Sequence, residues 1–216
     1  SDCLLDSSKY QYVSLGKPLS AGRLGNKKQV KIGVLPFYFT DQIPHSLTAQ
    51  EKSDYVSAAA NIGQLSNSKV KIEFVFFSPV NSKMTSLQFK QLYLGRNGGW
   101  QNRDLSKSTW GFTKSLIVNN DSAIDYSGLD SIILEGNNPD KSYYVAEAMM
   151  FFRQNQPDNY NEASSTFFES IVTNEGSIDN AILFDSHQKD HPIGITHEIL
   201  HNFGLTDLYG ADQSPG

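Results

Sequence analysis

Cysteine is all but absent: Cys3 is the single one in 216 residues, so no internal disulfide can form and no zinc site can be built on thiolates. Its role stays open between an unpaired thiol near a chain end, a partner for a cysteine elsewhere, and a lipidated start, which Ser1 and Asp2 before it fit poorly. Long apolar runs are missing too, and none reaches the roughly 18 residues needed to span a bilayer. No charged segment followed by an apolar one opens the chain, so no secretory leader is visible. Basic residues are scarce at one end. Positions 157–216 hold ten Asp/Glu against Lys189 alone, whereas positions 1–31 hold six Lys/Arg against Asp2 and Asp6. The acidic half repels nucleic acid and excludes it as a partner; it could attract cations or basic peptides, although a solvated acidic surface accounts for most of these carboxylates. Internal repeats and low-complexity linkers are also lacking.

What is present fits one soluble, folded domain. A composition of 38% hydrophobic, 12% aromatic and 19% charged residues is that of a globular chain able to bury a core. Residues 1–28 are polar and punctuated by Gly16, Pro18, Gly22 and Gly25, which reads as an extended lead-in or the tail of a pro-segment. VKIGVLPFYF (30–39) is a buried strand by its continuous apolar run. Residues 48–66 carry Tyr55, Ala58, Ala59, Ile62 and Leu65 at helical spacing behind Thr48 as N-cap. Lys69 to Phe77 alternates Val70, Ile72, Phe74 and Phe76 as a strand does, and Thr85 to Leu94 has a short helical pattern. The turn-rich stretch 96–111, with both tryptophans, reads as a loop that either lines a cleft or is anchored by aromatic burial.

Further on, LIVNN (116–120) and SIILEG (131–136) read as strands, and YYVAEAMMFFRQ (143–154) as an apolar helix in which Met149 and Met150 fill core. Thr166 to Thr173 suggests a short helix or strand, and Ala181 to Asp185 an edge strand. Asp190 and Pro192 are placed to open a last helix, since Pro is tolerated in the first turn. Strands alternating with helices predict an α/β fold with a mixed sheet and packed helices.

The last helix carries the chemistry. In HEILHNFGLTDLY (197–209), His197 and His201 lie one turn apart on one helical face, where both imidazoles can reach one metal ion. Glu198 sits beside them on an adjacent face, as hydrolysis requires, because a ligand cannot also be the free base. Gly204 stands where a left-handed cap would turn the chain, and Asp207 three residues later offers an oxygen donor returning toward the metal. His45, His187 and His191 lack ligand spacing and are read as surface or loop residues.

At these residues the sequence resembles a known family. HExxHxxGxxD is similar to the zinc signature of the metzincin peptidases with Asp in place of the usual third His, as in snapalysin-like peptidases. The longer form, HExxHxxGLxDLY, resembles secreted bacterial peptidases of the immune inhibitor A type, which often carry Pro where Thr206 stands. The strong match covers thirteen residues, with weaker echoes in IGVLPFYFTD (32–41) and DYSGLDSIILEG (125–136).

The resemblance implies a zincin or metzincin-like fold over residues 29–216, with the HExxH helix near the C-terminus. In such families the edge strand just before that helix pairs with extended substrate, and Ala181 to Asp185 holds that sequence position. A methionine-bearing turn lies under the zinc downstream of the signature, yet Met84, Met149 and Met150 all precede it here. The catalytic domain is therefore expected to be truncated after Gly216.

The implied function is zinc-dependent endopeptidase action on extracellular proteins by a secreted or cell-surface chain. One Zn²⁺ would be bound by His197, His201 and Asp207, with Glu198 as catalytic base. Asp207 has a rival role, capping the turn or bracing a His while a downstream residue completes the ligands. Tyr209 is open between assisting an oxyanion and a structural place in the core. A structural Ca²⁺ stays open, with no motif to indicate one. The alternative function, from a different class, is a catalytically inactive or truncated surface adhesion or glycan-binding module that kept a zinc-stabilised helix. Glu198 argues against it, since a structural zinc site needs no base and normally has four protein ligands.

Overall fold

The computed structural model describes residues 24, 27–94, 108–143, 145–150, 170–187, 190–203 and 205. Their main feature is a mixed sheet. Strand β1 (Gln29–Tyr38) pairs in parallel with β2 (Lys71–Phe76), with the two-residue β3 (Val80–Asn81) and with β4 (Ser131–Gly136). Strand β8 (Asn180–Asp185) lies parallel to β4, and β5 (Ala146–Met150) runs antiparallel along the far side of β8. The order is β2-β1-β4-β8-β5, with β3 also on β1. A separate small ribbon pairs β6 (Ile171–Val172) with β7 (Ser177–Ile178). The expected α/β class with a mixed sheet is therefore observed.

Alternation along the strands divides the core in two. Val30, Ile32 and Val34 of β1, Ile133 of β4, and Ile182 and Phe184 of β8 point to one face. There they meet Tyr55, Ala58 and Ile62 of α1 (Ala49–Leu65) and Ile195 and Ile199 of α4 (His191–Asn202). Leu35, Phe37, Ile132, Leu134 and Leu183 point the other way, against Phe89 of α2 (Ser86–Leu94) and Trp110, Phe112, Leu116 and Ile117 of α3 (Thr109–Asn119). A parallel sheet covered on both faces explains why its strands read as continuous apolar runs.

Local sequence accounts for several boundaries. Thr48 caps α1 in a full capping box, its hydroxyl accepting from the Glu51 N–H while the Glu51 carboxylate accepts from the Thr48 N–H. Leu65 ends that helix exposed instead of in its buried stripe. Pro36 would break a central strand, having no N–H to give. It falls where the partner on one side changes: β2 ends opposite Val34 and β3 begins opposite Phe37. Gly136 ends β4 beneath the Phe37 ring, which a Cβ there would meet at 2.5 Å, so only glycine lets the aromatic lie across the strand.

Four readings of the sequence are corrected. Residues 146–150 form a strand, because the free side of β8 draws them in: Val145 and Met149 point to the α3 side, while small Ala146 and Ala148 lie under α4. Good helix formers are overridden here by tertiary pairing. LIVNN is the end of helix α3, capped at Ser108, whose hydroxyl accepts from the Gly111 N–H. Trp110 is buried in the first turn of that helix, not on a loop; Trp100 lies outside the described residues. Ala181 to Asp185 belongs to an interior strand bonded on both sides and buried throughout, so among the described residues the edge beside it is β5. The expected 1–28 lead-in lies outside the described residues except Leu24, Lys27 and Lys28.

Candidate metal centre

Helix α4 is held at both ends and presents its middle to solvent. Asp190 precedes it with left-handed dihedrals (φ 62°) and no side-chain cap bond, and Pro192 lies in the first turn as expected. At the far end the Asn202 side chain is fully buried. Its carbonyl oxygen accepts from the Ser131 hydroxyl (2.9 Å), and its amide reaches the Met149 carbonyl (3.5 Å), tying the helix to β4 and β5. Ile195 and Ile199 face the sheet, which turns His197 and His201 outward.

The two imidazoles converge. Their Nε2 atoms are 3.0 Å apart and the rings are nearly perpendicular (88°). Two nitrogens on one tetrahedral zinc, each about 2.0–2.1 Å from it, would be roughly 3.3 Å apart, so the observed spacing is within a few tenths of an ångström of a shared ligand edge. On the other side of the His201 ring, Nδ1 lies 2.8 Å from the Leu205 carbonyl oxygen. A carbonyl only accepts, so Nδ1 carries the proton and, in the neutral ring, Nε2 is the lone-pair nitrogen that a metal needs. This is the orienting contact that metal-bound histidines have on their far nitrogen.

Glu198 is buried on the sheet side of the pair, its Oε1 3.9 Å from His197 Nε2. His197, Glu198 and His201 together form a group that can hold a metal ion, the one such group of three among the described residues. The two imidazoles are donors that suit a borderline cation of the zinc kind, and the Glu198 carboxylate stands beside them. The chain also reverses after the helix: the Leu205 N–H donates to the Leu200 carbonyl at 3.1 Å, the closure expected where Gly204 is the residue beyond the cap. Gly204, Asp207, Tyr209 and Cys3 lie outside the described residues.

The remaining histidines are apart from the pair. His45 sits 3.2 Å from Glu51, and exposed His187 sits 3.5 Å from Asp185, whose carboxyl burial holds above its ordinary range. His191 corrects the sequence reading. It is buried at the start of α4, with Nδ1 3.1 Å from Asp54 and Nε2 3.4 Å from Glu135. A carboxylate in the apolar run SIILEG was the available signal that such a partner existed.

No helix among the described residues is long and apolar enough to cross a membrane. The site thus defined is a two-histidine, one-carboxylate group on a sheet-packed helix. Compared with known proteins, the chain matches no family model, no curated protein and no solved structure.

Proposed function

We propose that this chain is a zinc-dependent endopeptidase of the metzincin type, with His197 and His201 as metal ligands and Glu198 as the base. The observation that carries the reading is the His201 ring. Its Nδ1 proton is committed to Leu205, and its Nε2 faces that of His197 with a buried carboxylate alongside. Asp207 as third ligand, a zincin-like fold, protein substrates and a secreted or cell-surface location belong to the same proposal and rest on the resemblance of the 197–209 segment.

A zinc ion held there would supply Lewis-acid polarisation of the scissile carbonyl and a hydrolytic water acidified toward a pKa of about 7. The chain's own groups do the rest. Glu198 would take one proton from the attacking water as its oxygen bonds to the carbonyl carbon, and would pass that proton to the leaving nitrogen as the C–N bond breaks, leaving a carboxylic acid and an amine. Leu205 keeps His201 in its ligating tautomer, and Asn202 keeps the helix register against β4 and β5.

In this reading substrate would pair with β5 and not with Ala181 to Asp185, which is bonded on both sides. Among the described residues β5 pairs on one side only, and its Ala146 and Ala148 lie next to α4. An extended peptide can add to such an edge by main-chain hydrogen bonds.

The test is cleavage of an unstructured protein by the wild type and by Glu198→Gln, with bound metal measured in both. Hydrolysis should fall about 10²–10⁴-fold while metal content is unchanged. Metal in both proteins and cleavage by neither would overturn the peptidase reading in favour of the binding module.

A further inference from the structure

The N-terminal turn of α4 contains a buried charge relay outside the metal centre. His191 is held between two carboxylates from different elements: Asp54 of α1 at Nδ1 and Glu135 of β4 at Nε2. The other Glu135 oxygen accepts a short hydrogen bond from the Tyr55 hydroxyl. Glu135 is 2% exposed and Tyr55 fully buried; the Tyr55 and Phe184 rings lie 5.8 and 5.3 Å from the imidazole and close the site.

With Asp54 and Glu135 both as carboxylates, proton counting assigns the state of this histidine. His191 Nε2 and Glu135 Oε1 have no partner in regular hydrogen-bond geometry, and each is the other's ionic neighbour at 3.4 Å. A neutral imidazole has one N–H, so one nitrogen would set a lone pair against a carboxylate in a water-excluded site. Only the imidazolium gives both carboxylates a donor.

We propose that His191 is the positioning residue of α4: as the imidazolium it pins the first turn of the helix to α1 and β4, and loss of that proton releases the turn. The groups facing it are Asp54 and the Tyr55 hydroxyl from α1, Glu135 from β4, and the uncharged Phe184 ring from β8. Glu51, farther along α1, is engaged by the Thr48 cap and His45. Burial alone would push the His191 pKa down, but Glu135 and then Asp54 outweigh it, and the net shift is upward. Stability from the clamp is therefore complete below about pH 6.5 and is lost as pH rises through the higher folded value. About 9 Å of helix, at 1.5 Å per residue, separates His191 from His197, so the clamp sets where the metal-facing turn begins.

The clamp does not depend on the metal reading, and it is tested on the full chain treated with chelator. Ring ¹⁵N shifts, assigned with a His191→Gln variant, report both nitrogens through the titration. Hydrogen exchange of the α4 amides, corrected for intrinsic pH dependence, reports helix docking. Both His191 nitrogens should stay protonated past pH 6.5, with α4 protection falling by up to about tenfold per unit of pH between 6.5 and the ring's own midpoint and levelling off above it. In Glu135→Gln and Asp54→Asn, which keep shape and remove charge, the midpoint should drop by about one unit or more. A neutral ring at pH 6, a midpoint unmoved in both variants, or titration without loss of α4 protection overturns the proposal.

Discussion

His191 and the His197–His201 pair occupy the same twelve-residue helix yet live in opposite environments. His191 is buried, with each ring nitrogen against a carboxylate; His197 has 43% of its side chain exposed, and its Nε2 faces another imidazole. In the first place negative charge surrounds a ring that must carry a proton. In the second, Leu205 fixes the His201 tautomer, so that its Nε2 presents a lone pair toward the Nε2 of His197. Residue type alone did not separate the histidine at the helix mounting from those that could hold a metal ion; the partners did.

The comparison can be broken most severely at the buried end. His191→Leu leaves Asp54 and Glu135 without their counter-ion and should cost about 3–5 kcal/mol, read as a lower urea midpoint. Tyr55→Phe removes one donor to Glu135 and should cost less, about 1–3 kcal/mol by the same measurement. Asn202→Ala, at the other end of α4, unpairs the buried Ser131 hydroxyl and should cost a similar or smaller amount.

A pH series sharpens the contrast without mutation. Stability should decline as pH rises from about 6.5 through the higher folded value of His191, and that slope should be absent in His191→Leu. On the acid side Glu51 acts in the opposite sense. Burial raises its pKa, but the Thr48 N–H and hydroxyl and then His45 outweigh it, so its net shift is downward. Its share of stability is present above about pH 4.5 and is lost as pH falls through the lower folded value.

Much of this was legible in the sequence where the cause is local. HExxH declared its own geometry because a helix puts residues four apart on one face, and Thr48 declared the start of α1. The strand β4 was read with the bounds it has, SIILEG, from its apolar run alone. What failed depended on distant partners. The 143–154 segment is apolar at both helical and strand periods, and at 146–150 only pairing with β8 decides for a strand. His191 passed for a surface residue because Asp54 lies 137 positions away in the chain. The orienting contact on His201 comes from a backbone carbonyl, which no side-chain pattern announces.

Metal stoichiometry tests the central claim most directly. Native mass spectrometry after reconstitution with zinc should give one ion per chain for the wild type and for Glu198→Gln, removed by chelator and regained on zinc addition. His201→Ala, folded by circular dichroism, should lose affinity by more than the roughly 100-fold that loss of an outer-shell partner costs. A folded wild-type chain that takes up no zinc, or a His201→Ala chain that binds it as tightly, would contradict the account.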